Sequence, residues 1–324
     1  MKKSIRQILC VQFAAFFFTN AYSQRLSRNE ADNKAATALQ DAIAAYKPVA
    51  DSEWTRNTIV YKNYVMPFDY IVYGKKPADG RSLYISLHGG GNAPAKVNDQ
   101  QWRNQHFLYK PAEGVYLVPR APTNTWNLWH EDHIDNMLES IIKDTVVFKD
   151  VNPNKIYILG YSAGGDGVYQ LATRMADHWA AASMMAGHPG DAAAMNLRNL
   201  PFAIFVGGLD SAYDRNKLAQ GWKDRLDSLR KTDTSGYIHD VHIYPDKPHW
   251  MDRKDTVAIE WMAKFRRNPL PAKVVWIQDD RHRDQFYWLG ADSANIKTGD
   301  TAIVSFKGNT INIEQNSCKT LNIF

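Results

Sequence analysis

Short apolar runs of strand length alternate with amphipathic stretches over most of this chain, and this alternation limits the possible folds more than any other feature. Runs rich in β-branched and aromatic residues predict strands, and they lie at 68–73, 82–87, 115–118, 156–159, 180–185, 202–206 and 241–244. Helical spacing of apolar residues predicts helices at 133–148, 168–175, 218–229 and 256–265. Strands that alternate with helices are typical of a mostly parallel sheet covered on both faces. We therefore predict an α/β domain over residues 58–268.

Two flanking segments differ from this domain. Residues 24–57 are polar and Ala-rich with helical spacing, and we expect a helix there that ends before Pro48. Residues 269–324 carry only strand-like runs, at 274–277, 285–289, 301–306 and 310–314, which predict a small β-rich appendage with no catalytic group of its own. Three of the last four residues, Leu321-Asn322-Ile323-Phe324, are apolar and no polar tail follows them, which leaves open that this appendage is incomplete.

Residues 1–23 have the pattern of a secretory signal peptide. The segment has a basic start (1–6), an apolar core (8–18) and a small-x-small cleavage site at Ala21-Tyr22-Ser23. The apolar core is too short to span a bilayer comfortably, for which about 20 residues are needed. We expect export, either periplasmic or secreted, after cleavage near Ser23 and Gln24. An uncleaved apolar anchor is the alternative.

Composition and charge exclude several classes of protein. A chain of 324 residues with 44% hydrophobic and 23% charged residues can bury a large core. The net charge of +5 includes three basic residues of the leader, and the rest of the chain has 36 basic against 34 acidic residues, which is no electrostatic footprint for nucleic acid. After cleavage Cys318 is the only thiol, so an internal disulfide is impossible. The sequence has no P-loop, dinucleotide fingerprint or H-E-x-x-H motif, and we expect no cofactor.

A glycine-rich serine motif, Gly160-Tyr161-Ser162-Ala163-Gly164, lies between the predicted strand at 156–159 and a predicted helix. A serine on a sharp strand-to-helix turn needs neighbours without bulk, because the flanking backbones pass close to one another. Such a turn exposes the hydroxyl at the carboxyl end of the sheet, at the N-terminus of a helix. This context favours Ser162 as a nucleophile over an idle serine in a flexible turn.

A second glycine motif, His88-Gly89-Gly90-Gly91, follows the predicted strand at 82–87. Glycines let backbone N–H groups approach a reacting oxygen, which an acyl-transfer enzyme needs for its oxyanion. With both motifs at strand ends, residues 68–265 resemble the α/β-hydrolase superfamily, and more narrowly the secreted bacterial esterases related to polyhydroxybutyrate depolymerases and feruloyl esterases. The resemblance implies an oxyanion hole made by the N–H of Ala163 and an N–H of Gly89 or Gly90.

The same resemblance implies an acid and then a histidine after the nucleophile, because a serine hydroxyl needs a base to take its proton. Asp210 follows the predicted strand at 202–206, where the superfamily usually carries its acid. Asp214 and, less well placed, Asp191 are the alternatives that the sequence leaves open.

His249 is the histidine best placed to act as the base. It lies in the loop between the last predicted strand of the domain and the closing helix, at the end of Tyr244-Pro245-Asp246-Lys247-Pro248. His239 and His242 lie in or before that strand, so we expect their side chains to point into packing or solvent.

Other polar and aromatic residues near these loops have two possible roles. Trp126 and Trp129, with Trp250, Trp102 and Tyr161, are expected to line an acyl- or sugar-binding cleft, and the alternative is that the tryptophans pack in a lid. Asp166, inside the predicted helix after the serine, is expected to complement the helix dipole or to hold a loop through contacts with arginine or tryptophan.

The pair His130 and His133 is flanked by acidic residues and could be drawn as a metal site. A catalytic zinc needs three protein ligands, and the spacing shows no third one, so we expect no metal.

These residues predict a secreted serine esterase that forms an acyl-enzyme. The expected partner is a small-molecule or polymer-linked ester, with no nucleic acid and no membrane contact after signal removal. A serine peptidase of the prolyl-oligopeptidase type and a catalytically inactive hydrolase-fold binding protein are the alternatives.

Overall fold

The computed structural model describes residues 27–324. The predicted signal peptide lies outside the described residues. Residues 43–324 form one compact unit. Within the described chain, no helix is both long and apolar enough to cross a membrane.

An eight-stranded sheet forms the centre of this unit. Its strands are β1 (Thr58–Tyr61), β2 (Tyr64–Tyr73), β3 (Arg81–Leu87), β4 (Gly114–Pro119), β5 (Val151–Tyr161), β6 (Ala181–Met185), β7 (Phe202–Gly207) and β8 (His239–Tyr244). They lie in the order β1-β2-β4-β3-β5-β6-β7-β8. β2 pairs antiparallel with β1 and β4, and the pairs from β4 to β8 are parallel. The predicted fold class, a mostly parallel sheet with helices on both faces, is confirmed.

Six α-helices accompany the strands within the described residues. They are α1 (Arg28–Arg56), α2 (Ala95–Gln105), α3 (Asp132–Lys149), α4 (Ala163–Arg174), α5 (Arg215–Thr232) and α6 (Ala258–Met262). Short 3₁₀ turns occur at Ala194–Asn199, Ala212–Asp214, Lys254–Val257 and Ser293–Asn295. The helix predicted at 256–265 is therefore shorter than expected, and part of it is a 3₁₀ turn. Strand β1 and helix α2 were not predicted, because β1 is only four residues long and α2 is mainly polar.

Two buried apolar clusters cover the two faces of the sheet. Alternate residues of β5 belong to different clusters: Ile156 and Ile158 pack with α3, α4 and α5, whereas Tyr157 and Leu159 pack with α6. Side chains of a strand point to opposite faces in turn, so a strand that is apolar throughout must be covered on both sides. The central strands are therefore rigid supports for the loops at their carboxyl ends.

The prediction that the first helix ends before Pro48 is wrong, because α1 continues through Pro48 to Arg56. A proline removes one helical hydrogen bond and usually ends or kinks a helix. Here contacts on both sides of Pro48 favour the helix. Trp54 stacks on Phe148 of α3 with ring centroids 5.6 Å apart, and the hydroxyl of Tyr46 donates to Asp144 Oδ1 at 3.1 Å.

The C-terminal residues form two three-stranded antiparallel sheets. One consists of β9 (Lys273–Ile277), β12 (Thr301–Lys307) and β13 (Thr310–Asn316), and the other of β10 (Gln285–Phe286), β11 (Leu289–Ala291) and β14 (Leu321–Ile323). The strand predicted at 285–289 is split, because Tyr287 has a φ of 54° between its two halves. Trp276, Phe286 and Trp288 are buried in the same cluster as α3 and α4, so these sheets share the core of the α/β unit.

The buried carboxyl group of Asp144 predicts a pH dependence of stability. Burial raises its pKa to about 7 from an ordinary value of 3.8. The folded state therefore holds a proton that the unfolded chain releases, and stability should decrease as the pH rises from about 4 to about 7 and then level off. We expect Asp144→Asn to remove this part of the slope in urea unfolding measured across that range. The exposed carboxylate of Asp224 on α5 is the control, and Asp224→Asn should keep the wild-type slope. An unchanged slope in Asp144→Asn would contradict the assignment.

Candidate active site

Ser162 lies on a strained turn between β5 and α4. Its backbone has φ 59° and ψ −123°, a combination that side-chain-bearing residues rarely adopt. The turn persists because its surroundings fix it: the N–H of Ser162 donates to the carbonyl of Met185 at 2.9 Å, and the carbonyl of Ser162 accepts from the N–H of Asp166 at 2.9 Å. The serine is thereby held at the carboxyl end of the central strand and at the N-terminus of α4.

Glycines on either side of the serine make this turn possible. A Cβ at Gly164 would overlap the carbonyl group of Leu87, and a Cβ at Gly160 would overlap the carbonyl of Gly164. The backbones of β3, β5 and α4 therefore approach one another so closely that no side chain fits between them. This is the physical reason for the glycine spacing seen in the sequence.

Three predicted side chains are brought together around this turn. The Nε2 atom of His249 lies 3.0 Å from Ser162 Oγ, and its Nδ1 atom lies 2.6 Å from Asp210 Oδ2. An ionised carboxylate can only accept, so Nδ1–H donates to Asp210 and Nε2 is left to accept from the serine hydroxyl. The three groups thus form one hydrogen-bonded relay across residues that are up to 87 positions apart.

The loop that carries His249 is fixed by Tyr161, the residue before the serine. The Tyr161 hydroxyl donates to the carbonyl of His249 at 2.6 Å and accepts from the N–H of Met251 at 3.1 Å. Sequence reasoning placed Tyr161 among the substrate-binding residues. Its ring does lie at the cleft wall, but its hydroxyl is engaged with the histidine loop, so its main effect is to position His249.

Of the three candidate acids, only Asp210 contacts the imidazole. It is buried at the end of β7, and its second carboxylate oxygen lies 3.7 Å from Arg215. Asp214 is exposed and pairs with Lys217 at 2.8 Å. Asp191 accepts from Gln170 at 3.0 Å. The other two histidines of the region are engaged elsewhere, since His239 contacts Asp227 and His242 stacks on Phe205.

The segment from His88 to Gly91 lies beside the serine. A Cβ built on Gly89 would be 3.2 Å from the Cβ of Ser162. Gly90 has a φ of 110°, which only glycine adopts readily. The N–H of Gly91 is used by Asn98 Oδ1 at 2.8 Å, so the amides of Gly89, Gly90 and Ala163 are the ones near Ser162 that could hold an oxyanion.

His88 supports this segment from inside the protein. It is fully buried, its Nε2 accepts from the N–H of Ala121 at 3.1 Å, and its Nδ1 lies 2.6 Å from the carbonyl of Gly89. Burial lowers the pKa of His88 to about 4, so the ring is neutral and donates through Nδ1 at neutral pH. The sequence singled out His88 only as the start of the glycine motif, and its role as a support was missed.

The predicted cleft tryptophans have different positions. Trp126 is 67% exposed and Trp250 is 45% exposed, and each lines one side of the cleft at Ser162. Trp129 is fully buried, so its prediction as a substrate-binding residue is wrong. Its indole N–H donates to the carbonyl of His88 at 3.0 Å, and its ring packs where Gly167 leaves room for it. The Trp102 indole N–H donates to the carbonyl of Val118 at 2.9 Å.

His130 and His133, the two histidines considered as metal ligands, lie in different environments. His133 stacks on Tyr64 with ring centroids 3.6 Å apart. His130 packs edge-on against Trp126 and lines the cleft, and burial lowers its pKa to about 4. Within residues 27–324, no group of three histidine, cysteine or acidic side chains is placed to hold a metal ion.

Asp166 also lines this cleft, one turn after the serine. Its carboxylate accepts from the N–H of His188 at 2.6 Å, and burial raises its pKa. It therefore holds the loop that follows β6, but through a backbone N–H and not through the arginine or tryptophan contacts expected from the sequence.

The cleft has two cavities, one on each side of Ser162. One, of about 670 Å³, is the more polar of the two and is called the polar cavity, and the other, of about 700 Å³, has Val97, Phe107, Leu108 and Trp250 in its wall. Asp280 and Arg281 of the C-terminal segment line the polar cavity. No local sequence pattern predicts this contribution.

Together these features provide a hydroxyl with a base, an acid that orients the base, and backbone donors beside the reacting oxygen. The strand order and the strained serine turn match the α/β-hydrolase fold that the sequence motifs predict.

Comparison with known proteins finds similarities among solved structures. The sequence matches no family model and no curated protein. Among solved structures it is similar to a thermostable esterase (19% identity, 65% of this chain and 62% of that chain, TM-score 0.46). It is also similar to the serine hydrolase XC6422 from Xanthomonas campestris (14% identity, 64% and 92%, TM-score 0.45). A third is the feruloyl esterase module from Clostridium thermocellum (12% identity, 64% and 86%, TM-score 0.44). The chain spans less than two thirds of the thermostable esterase.

The close approach at Gly164 predicts a large loss of stability on adding one methyl group. Gly164→Ala forces its Cβ against the backbone of Leu87, so β3 or α4 must move, and we expect a loss of roughly 2 kcal/mol or more of unfolding free energy. Gly221→Ala is the matched control, because Gly221 is exposed on α5 with open space around its Cβ position. That change should stabilise the protein by up to about 1 kcal/mol through helix propensity. Equal unfolding midpoints for the two variants would refute the packing argument.

Proposed function

We propose that this protein is a serine hydrolase that cleaves carboxylic esters through an acyl-enzyme. The observation that carries the proposal is the relay Ser162 Oγ–His249–Asp210, with heavy-atom distances of 3.0 and 2.6 Å. Two hydrogen bonds of this length with the donors in the required direction are the geometry that activates a serine hydroxyl.

The proposed reaction has two matched steps. His249 Nε2 takes the proton of Ser162 as Oγ attacks the ester carbonyl carbon, and the amides of Ala163 and of Gly89 or Gly90 hold the oxyanion. His249 then gives that proton to the leaving alcohol as the tetrahedral intermediate collapses to the acyl-enzyme. Water then attacks the acyl carbon as it loses a proton to His249. His249 returns that proton to Ser162 Oγ as the second tetrahedral intermediate collapses, which releases the carboxylic acid and regenerates the serine hydroxyl. Asp210 keeps the imidazole in the required tautomer and stabilises its cation.

The shape of the cleft favours an ester attached to a larger molecule. Trp126 and Trp250 are exposed on opposite sides of Ser162, and cavities extend from the serine in both directions. An open site with aromatic walls can accept a polymer- or glycan-linked ester, whereas a closed pocket would admit only a small one.

Substitution of the relay residues tests the proposal. Ser162→Ala and Asp210→Asn should each lower kcat/KM for p-nitrophenyl acetate by about 10⁴-fold or more, because the three groups act as one unit. Asp214→Asn is the control, since Asp214 lies outside the relay, and it should retain the wild-type rate. A fluorophosphonate probe should label wild-type Ser162 and leave Ser162→Ala unlabelled.

Two results would count against an ester hydrolase. Folded wild-type protein that resists the fluorophosphonate probe would favour a binding protein. Cleavage of aminoacyl nitroanilides without cleavage of acyl esters would favour a peptidase.

We also propose export of the protein, on the basis of residues 1–23, which lie outside the described part of the chain. Cleavage after Ser23 should give a mature protein that begins at Gln24. Intact mass measured on protein from the periplasm or medium of an expressing bacterium would show this. An unchanged mass of the full-length chain in the membrane fraction would favour the anchor instead.

A further inference from the structure

The polar cavity beside Ser162 contains hydrogen-bonding groups of several kinds and two exposed aromatic rings, those of Trp126 and Tyr213. Amides, carboxylates, guanidinium groups and imidazoles share its wall, and they belong to Asn92, Asn127, His130, Asp166, Gln170, His188, Asp191, Arg215, Asp280 and Arg281. Amides both donate and accept, carboxylates only accept, and guanidinium groups only donate. A ligand there must offer many donors and acceptors and one apolar face.

The loop from Gln278 to Asp284 brings Asp280 and Arg281 into this cavity. Hydrogen bonds within the loop fix its conformation. The buried side chain of Gln278 donates to the carbonyl of Arg283 at 2.7 Å and accepts from its N–H at 3.0 Å, which closes the loop at its base. Asp279 Oδ1 accepts from the N–H of Arg281 at 2.7 Å. The two cleft-lining side chains therefore stand on a preformed turn.

Ion pairs fix this loop to helix α3 and the residues before it. Arg283 donates to Glu139 at 2.7 Å, and Arg281 lies 3.5 Å from Glu131. Glu131 also accepts from Asn127, so the same carboxylate holds the loop that carries Trp126. The C-terminal segment and the tryptophan loop are thus joined on one side of the cavity.

The two arginines in the cavity wall already have carboxylate partners. Arg281 pairs with Asp280 at 2.9 Å, and Arg215 lies 3.7 Å from Asp210. An anionic ligand would have to compete with these carboxylates, so the lining favours a neutral ligand with many hydroxyl groups. The apolar C–H face of a sugar ring fits the exposed ring of Trp126, while its hydroxyls can bond to the polar groups around it.

We propose that the polar cavity binds a neutral saccharide part of the substrate and that Arg281 and Asp280 of the C-terminal segment determine this specificity. The inference rests on the proposed ester hydrolysis and adds the substrate class and the half of the cleft that holds it. The apolar cavity, with Phe107 and Trp250 in its wall, then holds the part of the substrate on the other side of the ester bond from the saccharide.

A selectivity ratio tests the role of Arg281. The ratio compares kcat/KM for an acetylated xylo-oligosaccharide with kcat/KM for p-nitrophenyl acetate, which lacks the saccharide. Arg281→Ala should lower this ratio about tenfold or more, because hydrogen bonds to charged groups are among the stronger ones. Arg281→Lys keeps the charge but lacks the planar guanidinium group. Its selectivity ratio should lie between those of the wild-type protein and Arg281→Ala. A change that lowers both rates equally would mean a structural role and would overturn the proposal.

Arg266→Ala is the matched control for the loss of an arginine. Arg266 pairs with Asp79 at 2.6 Å and is not part of the cleft wall. This variant should keep the wild-type ratio, and thermal unfolding of each variant checks that the fold is intact. A ratio that falls equally in Arg266→Ala would also overturn the proposal.

Direct binding separates this inference from the proposed catalysis. Isothermal titration of the wild-type protein with the unesterified hexasaccharides of xylose, glucose and mannose should detect binding to at least one of them. Trp126→Ala and Arg281→Ala should each weaken that binding about tenfold. If no hexasaccharide binds while p-nitrophenyl acetate is cleaved, the saccharide site is wrong and the esterase stands. If a hexasaccharide binds with this dependence and no ester is cleaved, the site stands and the esterase fails.

Discussion

The close packing of three backbones around Ser162 is the constraint on which the rest of the structure depends. Strands β3 and β5 and helix α4 meet where Gly160 and Gly164 have no side chains, and this approach, with the backbone hydrogen bonds of Ser162, holds the serine at a positive φ. Strain of this kind persists only when the surrounding structure over-determines it. The parallel strands, apolar on both faces, supply that rigidity. The core of this protein therefore stabilises the fold and also maintains an unfavourable backbone conformation at one residue.

Single hydrogen bonds connect this rigid centre to the His249 loop and to the glycine segment 88–91. The Tyr161 hydroxyl links the end of β5 to the backbone of His249. The neutral ring of His88 links the glycine segment to the backbone of Ala121, which follows β4. Both contacts link a strand end to a neighbouring loop. Since the carboxyl ends of parallel strands lie at one edge of the sheet, short links of this kind are enough to assemble groups that are distant in sequence.

Much of this arrangement could be predicted from the sequence, because its signals are local. The alternation of strands and helices and the glycines around Ser162 need only neighbouring residues to be recognised. The predictions that were wrong depended on distant partners. Pro48 lies inside a helix because contacts of Tyr46 and Trp54 with α3 hold both sides of it, and Trp129 is buried because Gly167, 38 positions later, leaves space for its ring. The position of Arg281 in the cleft depends on pairing with Glu131, 150 positions earlier, and no local pattern reveals it.

The C-terminal sheets have a consequence for how this protein could have diversified. Because Trp276, Phe286 and Trp288 are buried in the same core as the helices of the α/β unit, these sheets cannot be gained or lost as an independent module without exposing that core. The turn between β9 and β10, by contrast, is closed on itself by Gln278 and can change its tip residues at little cost to folding. Evolution can therefore alter this side of the cleft by small exchanges within one turn, while the surrounding sheets stay fixed in the architecture.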